Sequence, residues 1–311
     1  MEWTSIRGIM AALTPLGVAV GIAMAGSSFL VFILLGFGAG VDLGRVLGGI
    51  KGSALGPSPT RTRFAIWAAG ALCVMLGAAA FAPSIANVQI PAQARASAWG
   101  VRNIASADPL VLSIPALLLS GFVQEPTKLV VAVIGSWVLI AATGAGTGAN
   151  ANANAGADAN AGADAPRLGN ANASPNPSPS AIRVSLRARA VSGLLAGAGY
   201  GGMEAAVVLS FAFAASQGKP FPWVVLLERV SALLLHTGLP AVAMVRWASS
   251  PWAGLASLVC VSLVHAGVNY VTVPLGLGIL KIAAAEAIIM ASSVGIAIYT
   301  MWLLRGVGRY E

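Results

Sequence analysis

The apolar residues of this chain neither alternate nor form narrow stripes; they fall in unbroken runs that follow one another from end to end. A bilayer's hydrocarbon core is about 30 Å thick, and a helix crosses it in about 20 residues. Within that core the backbone must satisfy its own donors and acceptors, which leaves only helices and closed barrels. Barrel strands need an apolar residue at every second position, and these runs lack that period. The expected fold is therefore all-α, a polytopic transmembrane helical bundle. Composition agrees: of 311 residues, 57% are hydrophobic and only 9% charged, against about 25% charged in a soluble domain.

The sequence predicts about eight spans, at 5–25, 28–50, 64–86, 109–142, 184–215, 222–245, 252–273 and 280–305. Only Ala25-Gly26-Ser27-Ser28 separates the first two. The start has a second reading, because Arg7, an apolar run and Ala23-Met24-Ala25 before Gly26 also fit a cleavable signal peptide. With both termini on one side, twelve basic residues face that side (Arg7, Arg45, Lys51, Arg61, Arg63, Arg167, Arg183, Arg187, Arg189, Arg246, Arg305 and Arg309) and four face the other (Arg95, Arg102, Lys219 and Lys281). That bias predicts cytoplasmic termini on a protein of the plasma membrane. It also explains the net charge of +8 without a nucleic-acid partner; the expected partners are lipids and a membrane protein or peptide substrate.

Residues 144–180 break the pattern with a tract of Gly, Ala, Asn, Pro and Ser that has Leu168 as its one large apolar residue. Such a tract buries too little to offset its ordering entropy, so a disordered cytoplasmic linker is expected after span four. It divides a four-span front half (1–143) from a four-span back half (181–311). Cys73 and Cys260 both fall in apolar runs and read as small core residues, with no disulfide or metal pair.

Ionisable side chains are costly inside a membrane, so each marks a candidate site. They are Glu125, Lys128, Glu204, Glu228, Arg229, His236, His265 and Glu286, with Asp42 near the end of span two. Gln124-Glu125-Pro126-Thr127-Lys128 puts a carboxylate beside a proline, which predicts a break in the helix at Glu125. The alternative is a Glu125–Lys128 pair that satisfies itself at i, i+3. Gly193, Gly197 and Gly201 form a stripe for close helix contact that brings Glu204, one turn further, towards a packed neighbour. Arg229 and His236 share a helix face two turns apart, and His265 and Asn269 share one at i, i+4. An imidazole can bind a metal or move protons near neutral pH, and an amide beside it can orient the ring or hold an oxyanion.

The order of these motifs, with Gln124–Lys128 in one span, Gly199-Tyr200-Gly201-Gly202-Met203-Glu204 in a later one, Glu228–His236 in the next and then His265–Asn269, resembles the YhfC family of intramembrane metalloproteases. That family is itself similar to the PrsW glutamic-type and CAAX-processing membrane proteases. The resemblance covers roughly residues 110–275 and implies a polar intramembrane cavity in which a carboxylate activates water to cut a peptide bond. It implies catalytic roles for Glu125, Glu204, His236, His265 and Asn269, with Glu125 and Lys128 at the second acidic and the basic positions of a Glu-Glu-x-x-Lys/Arg motif. Gln124, Lys128, Tyr200 and Arg229 would support them. Two departures stand out. Gln124 replaces the first Glu of the pair and cannot take a proton, and Tyr200 stands where family members tend to carry His. His236, His265 and Glu204 would make a zinc set with one open position; a metal-free glutamate mechanism is the alternative. Two further readings remain, a catalytically inactive scaffold of the same fold and a transporter, the latter without an inverted repeat to support it.

Overall fold

The computed structural model describes residues 13–36, 59–104, 108–142, 179–216 and 223–308, with side chains described outside 59–64 and 179–185. Nine α-helices, numbered among these residues, make up the fold: α1 (Pro15–Gly36), α2 (Pro59–Pro83), α3 (Ile90–Asn103), α4 (Pro109–Ala142), α5 (Pro179–Ser216), α6 (Trp223–Ser249), α7 (Pro251–Tyr270), the short α8 (Thr272–Gly276) and α9 (Ile282–Gly308). A π-helical turn, Ser84–Gln89, joins α2 to α3. No strand occurs among the described residues.

Seven helical stretches of the described residues are long and apolar enough to cross a membrane; these are the helices of an integral membrane protein. Their outward faces carry exposed Trp67, Trp137, Trp252 and Trp302 towards one end of the bundle and Trp99 and Trp223 towards the other. That is the distribution expected of indoles at the two membrane–water interfaces. The expected spans three to eight coincide with helices, but the break expected at Ala25–Ser28 is absent: α1 runs through it. Serines end a helix only when their hydroxyls compete for the backbone. Here Ser27 Oγ donates back to Ala23 O (2.8 Å) and Ser28 Oγ to Ala25 O (3.1 Å), so both stay inside the helix. The remainder of the expected second span, Asp42, residues 1–12 and nearly all of the expected linker lie outside the described residues.

The bundle is built around α5. Its apolar stretch is 78% buried, whereas no other span exceeds 50%. Glycines on two faces make this possible. A Cβ at Gly193 or Gly197 would strike the α6 backbone at Ala241 or at the carbonyl of His236, and one at Gly199 would strike the α2 backbone at Val74. In lipid there is no hydrophobic drive between helices, so such backbone contact, with its packing and hydrogen bonds, carries association. The Gly193/Gly197/Gly201 stripe therefore sets α5 against α6, as its spacing predicts, and holds Glu204 and His236 on facing surfaces.

Candidate functional site

His236 is the middle residue of α6, and the charged groups of the bundle assemble around it. Four helices contribute: α4 supplies Glu125 and Lys128, α5 supplies Glu204, α6 supplies Arg229 and His236, and α7 supplies His265. Lys128 and Glu125 form an ion pair, 0% and 1% exposed. Glu125 Oε1 also accepts from His265 Nδ1 at 2.6 Å. The Lys128 ammonium donates on the other side to His236 Nδ1 at 2.9 Å. An ammonium has no lone pair to offer, so this contact makes His236 Nδ1 the acceptor and assigns the ring's proton to Nε2. Nε2 stands 2.8 Å from Glu204 Oε2. Glu204 Oε1 accepts from Arg229 Nη1 at 3.0 Å, and Arg229 also pairs with Glu228. The two imidazole rings meet edge to face, centroids 4.9 Å apart.

The groups thus form one connected file, from His265 and Glu125 at the middle of the bundle to Glu228 near the start of α6. Burying so many charges costs several kcal/mol per ion unless each is paired and hydrogen-bonded, and the pairing here is nearly complete. The exceptions are oxygens: Glu125 Oε2 and Gln124 Oε1 are buried without a hydrogen-bond donor, and Glu204 Oε2, though 2.8 Å from His236 Nε2, is not aligned to accept a hydrogen bond from it.

The helix break expected at Glu125 does not occur, because α4 continues through Pro126. Long membrane helices tolerate proline; the carbonyl that Pro126 leaves without its helical donor is that of Phe122, and Thr127 Oγ1 donates to the next one, Val123 O (2.7 Å). The self-satisfied Glu125–Lys128 pair is present, but it is not isolated, since both members reach histidines on other helices. Asn269 is one turn from His265, yet its amide donates to Ser120 Oγ (3.0 Å), tying α7 to α4. Gln124 donates to Gln89 Oε1 (3.0 Å). Tyr200 is fully buried, its hydroxyl 2.8 Å from Ser84 Oγ and its ring centre 5.4 Å from the Lys128 ammonium. Ser84 and Gln89, both on the π-helical turn, and Ser120 were not singled out in the sequence, where isolated polar residues near a span's end are commonplace. The one local signal was the polar cluster Ser84, Asn87, Gln89 directly after Pro83. Glu286, on α9, has one buried oxygen without a hydrogen-bond partner and no hydrogen bond to the file. Of the cysteines, Cys73 lies in the core as expected, but Cys260 is exposed on α7.

Glu125, His236 and His265 each offer one ligand atom within 4.8 Å of the others, a set able by reach to hold a metal ion. It differs from the set expected from the sequence, with Glu125 in place of Glu204, which instead stands behind His236. Lys128 changes the fit. Its ammonium takes a lone pair from two of the three prospective ligands. Lys128 and Arg229 already offset two of the three carboxylates Glu125, Glu204 and Glu228, so an added divalent ion would leave one positive charge in excess. Lys128 thus competes with a metal for Glu125 Oε1 and His236 Nδ1.

An apolar groove of about 370 Å³ lies between α6, α7 and α9. Its wall includes Leu239, one turn from His236, and Val264, beside His265; Arg246 and Tyr299 stand at one end, joined by a 3.1 Å hydrogen bond. Comparison of the chain with protein-family models, curated proteins and solved structures finds no match.

Proposed function

We propose that this protein is an intramembrane peptidase whose centre is Glu125, hydrolysing a peptide bond of a membrane-embedded substrate without a metal. The observation that carries this reading is Glu125 itself. A carboxylate 1% exposed in the middle of a membrane bundle has one oxygen held by Lys128 and His265 and the other without a donor. Buried acceptors are nearly always satisfied, and a water is the donor that suits Oε2. Glu125 would take that water's proton, freeing hydroxide to attack the scissile carbonyl. Glu125 would then return that proton from Oε2 to the departing amine, with His265 Nδ1–H on Oε1 holding the carboxyl in place. The Lys128 ammonium is the cation nearest the developing oxyanion. His236 and Glu204 hold Lys128 in place, and Arg229 holds Glu204; these are positioning residues. Asn269 acts through Ser120 by fixing α7 on α4. In this reading a substrate helix would lie in the apolar groove, whose wall comes as near in sequence as Leu239 and Val264 without including His236 or His265.

The direct test is to reconstitute the protein in liposomes with a library of membrane-spanning peptides and identify products by mass spectrometry. New termini within or at the edge of the spanning segment are expected, and they should persist in excess chelator. An inactive scaffold is the second reading, favoured by the near-complete internal pairing of the charges and by Gln124; it yields no products from any library.

The chain's orientation follows the same logic. From α2 to α9 there are six crossings among the described residues, so residues 59, 142, 179, 250 and 308 face one side. That side has nine basic residues from Arg61 onwards against four on the other, and is the cytoplasmic one by the positive-inside rule.

A further inference from the structure

A three-ligand metal set and a lysine rarely share one place, because the lysine competes for the same lone pairs. In this bundle they do share it. The Lys128 ammonium donates to Glu125 Oε1 and His236 Nδ1, on two of the three residues that could reach a metal, and lies over the face of Tyr200 at 5.4 Å. A carboxylate, an imidazole lone pair and an aromatic face together make a site for an organic cation. The rings complete the enclosure: Tyr200 is 5.9 Å from His236, and His236 is 4.9 Å from His265. No part of Lys128 reaches solvent.

We propose that the Lys128 ammonium is the resident cation of the Glu125–His236–His265 set, so that the native protein takes up no divalent metal and removal of the amine converts the set into a three-ligand site for zinc. The charge balance and the shared lone pairs argue this together. With Lys128 present the file holds three carboxylates against two cations, so a divalent ion leaves one positive charge in excess. With Lys128 gone, Glu125 has lost its main counter-charge, His236 Nδ1 has lost its donor, and a divalent ion restores both. Two histidines and one carboxylate with an open position suit zinc. The proposal uses the same cluster as the peptidase reading but makes no use of catalysis.

The test is to purify the protein in mild detergent, dialyse it against micromolar zinc and count bound metal in the native chain, in Lys128→Met and in Lys128→Gln. The expected result is no zinc above background in the native chain and about one per chain in either variant, lost again when His265→Ala is added. Stoichiometric zinc in the native chain overturns the proposal. So do folded variants that bind none. Variants that fold only when zinc is supplied support it; variants that stay unfolded with zinc present overturn it, because an ion in the vacated place should restore the lost charge. Peptide cleavage has no part in the readout, so this proposal and the peptidase reading fail separately.

Discussion

Glu125 is the residue on which most of the buried charge depends. Glu125→Ala strands the fully buried Lys128 ammonium, and breaking a buried pair in this way costs about 3–5 kcal/mol. A large fall in the thermal midpoint of the purified protein is expected, relieved in the double variant Glu125→Ala/Lys128→Met, where no charge is left behind. A double variant as unstable as the single one contradicts the pairing. Tyr200→Phe keeps the ring over Lys128 and removes only the hydroxyl that meets Ser84, so it should cost about 1 kcal/mol. At this scale the sequence was informative about which residues matter and uninformative about what they touch. Glu125 and Lys128 stand i, i+3 and their pairing was open to reading. The contact of Lys128 with His236 joins residues 108 apart, and no local spacing encodes it. The same holds for Gln124 with Gln89 and Asn269 with Ser120.

Among the elements, α5 and α6 decide whether the site assembles. Gly197 lies against the His236 carbonyl, a backbone atom that no rotamer change can move aside. Gly197→Ala should therefore force the helices apart and cost about 1–3 kcal/mol, a shift measurable by thermal unfolding in detergent; an unchanged midpoint contradicts the close packing. Pro126 is the converse case. Because α4 passes through it unbroken, Pro126→Ala restores a helical donor without removing a needed bend, and stability should be equal or higher. A severe loss would mean that the proline sets the shape of α4 after all. The sequence was read wrongly at both places where it was read for breaks. Ser27 and Ser28 bond back to their own helix, and Pro126 removes one donor from a helix that neighbouring helices hold in place, so both helices continue. The glycine stripe was legible because its four-residue period needs no knowledge of the partner helix.

For the molecule as a whole, the hydropathy pattern specified six of the seven spans closely, since span length follows from bilayer thickness. The order of packing around α5 was not legible, because apolar residues look alike whichever neighbour they face. Orientation is open to test. In a Cys260→Ser background, Asp108→Cys and Ser250→Cys should be labelled by a membrane-impermeant thiol reagent from opposite sides, Ser250→Cys only after the cytoplasmic face is exposed; labelling of both from one side contradicts the six-crossing path. The central claim is that the buried file of charges exists to hydrolyse a bond and not merely to hold helices together. Single-turnover cleavage of a substrate peptide in liposomes tests it most directly, comparing the native chain with Glu125→Gln and His265→Gln variants whose thermal stability is matched to it by choice of temperature. Loss of a general base or of its proton partner typically costs on the order of 10²–10⁴ in rate, so both variants should fall by at least about 10²-fold while remaining folded. Cleavage at native rates in either folded variant, or no cleavage by the native chain, contradicts the claim.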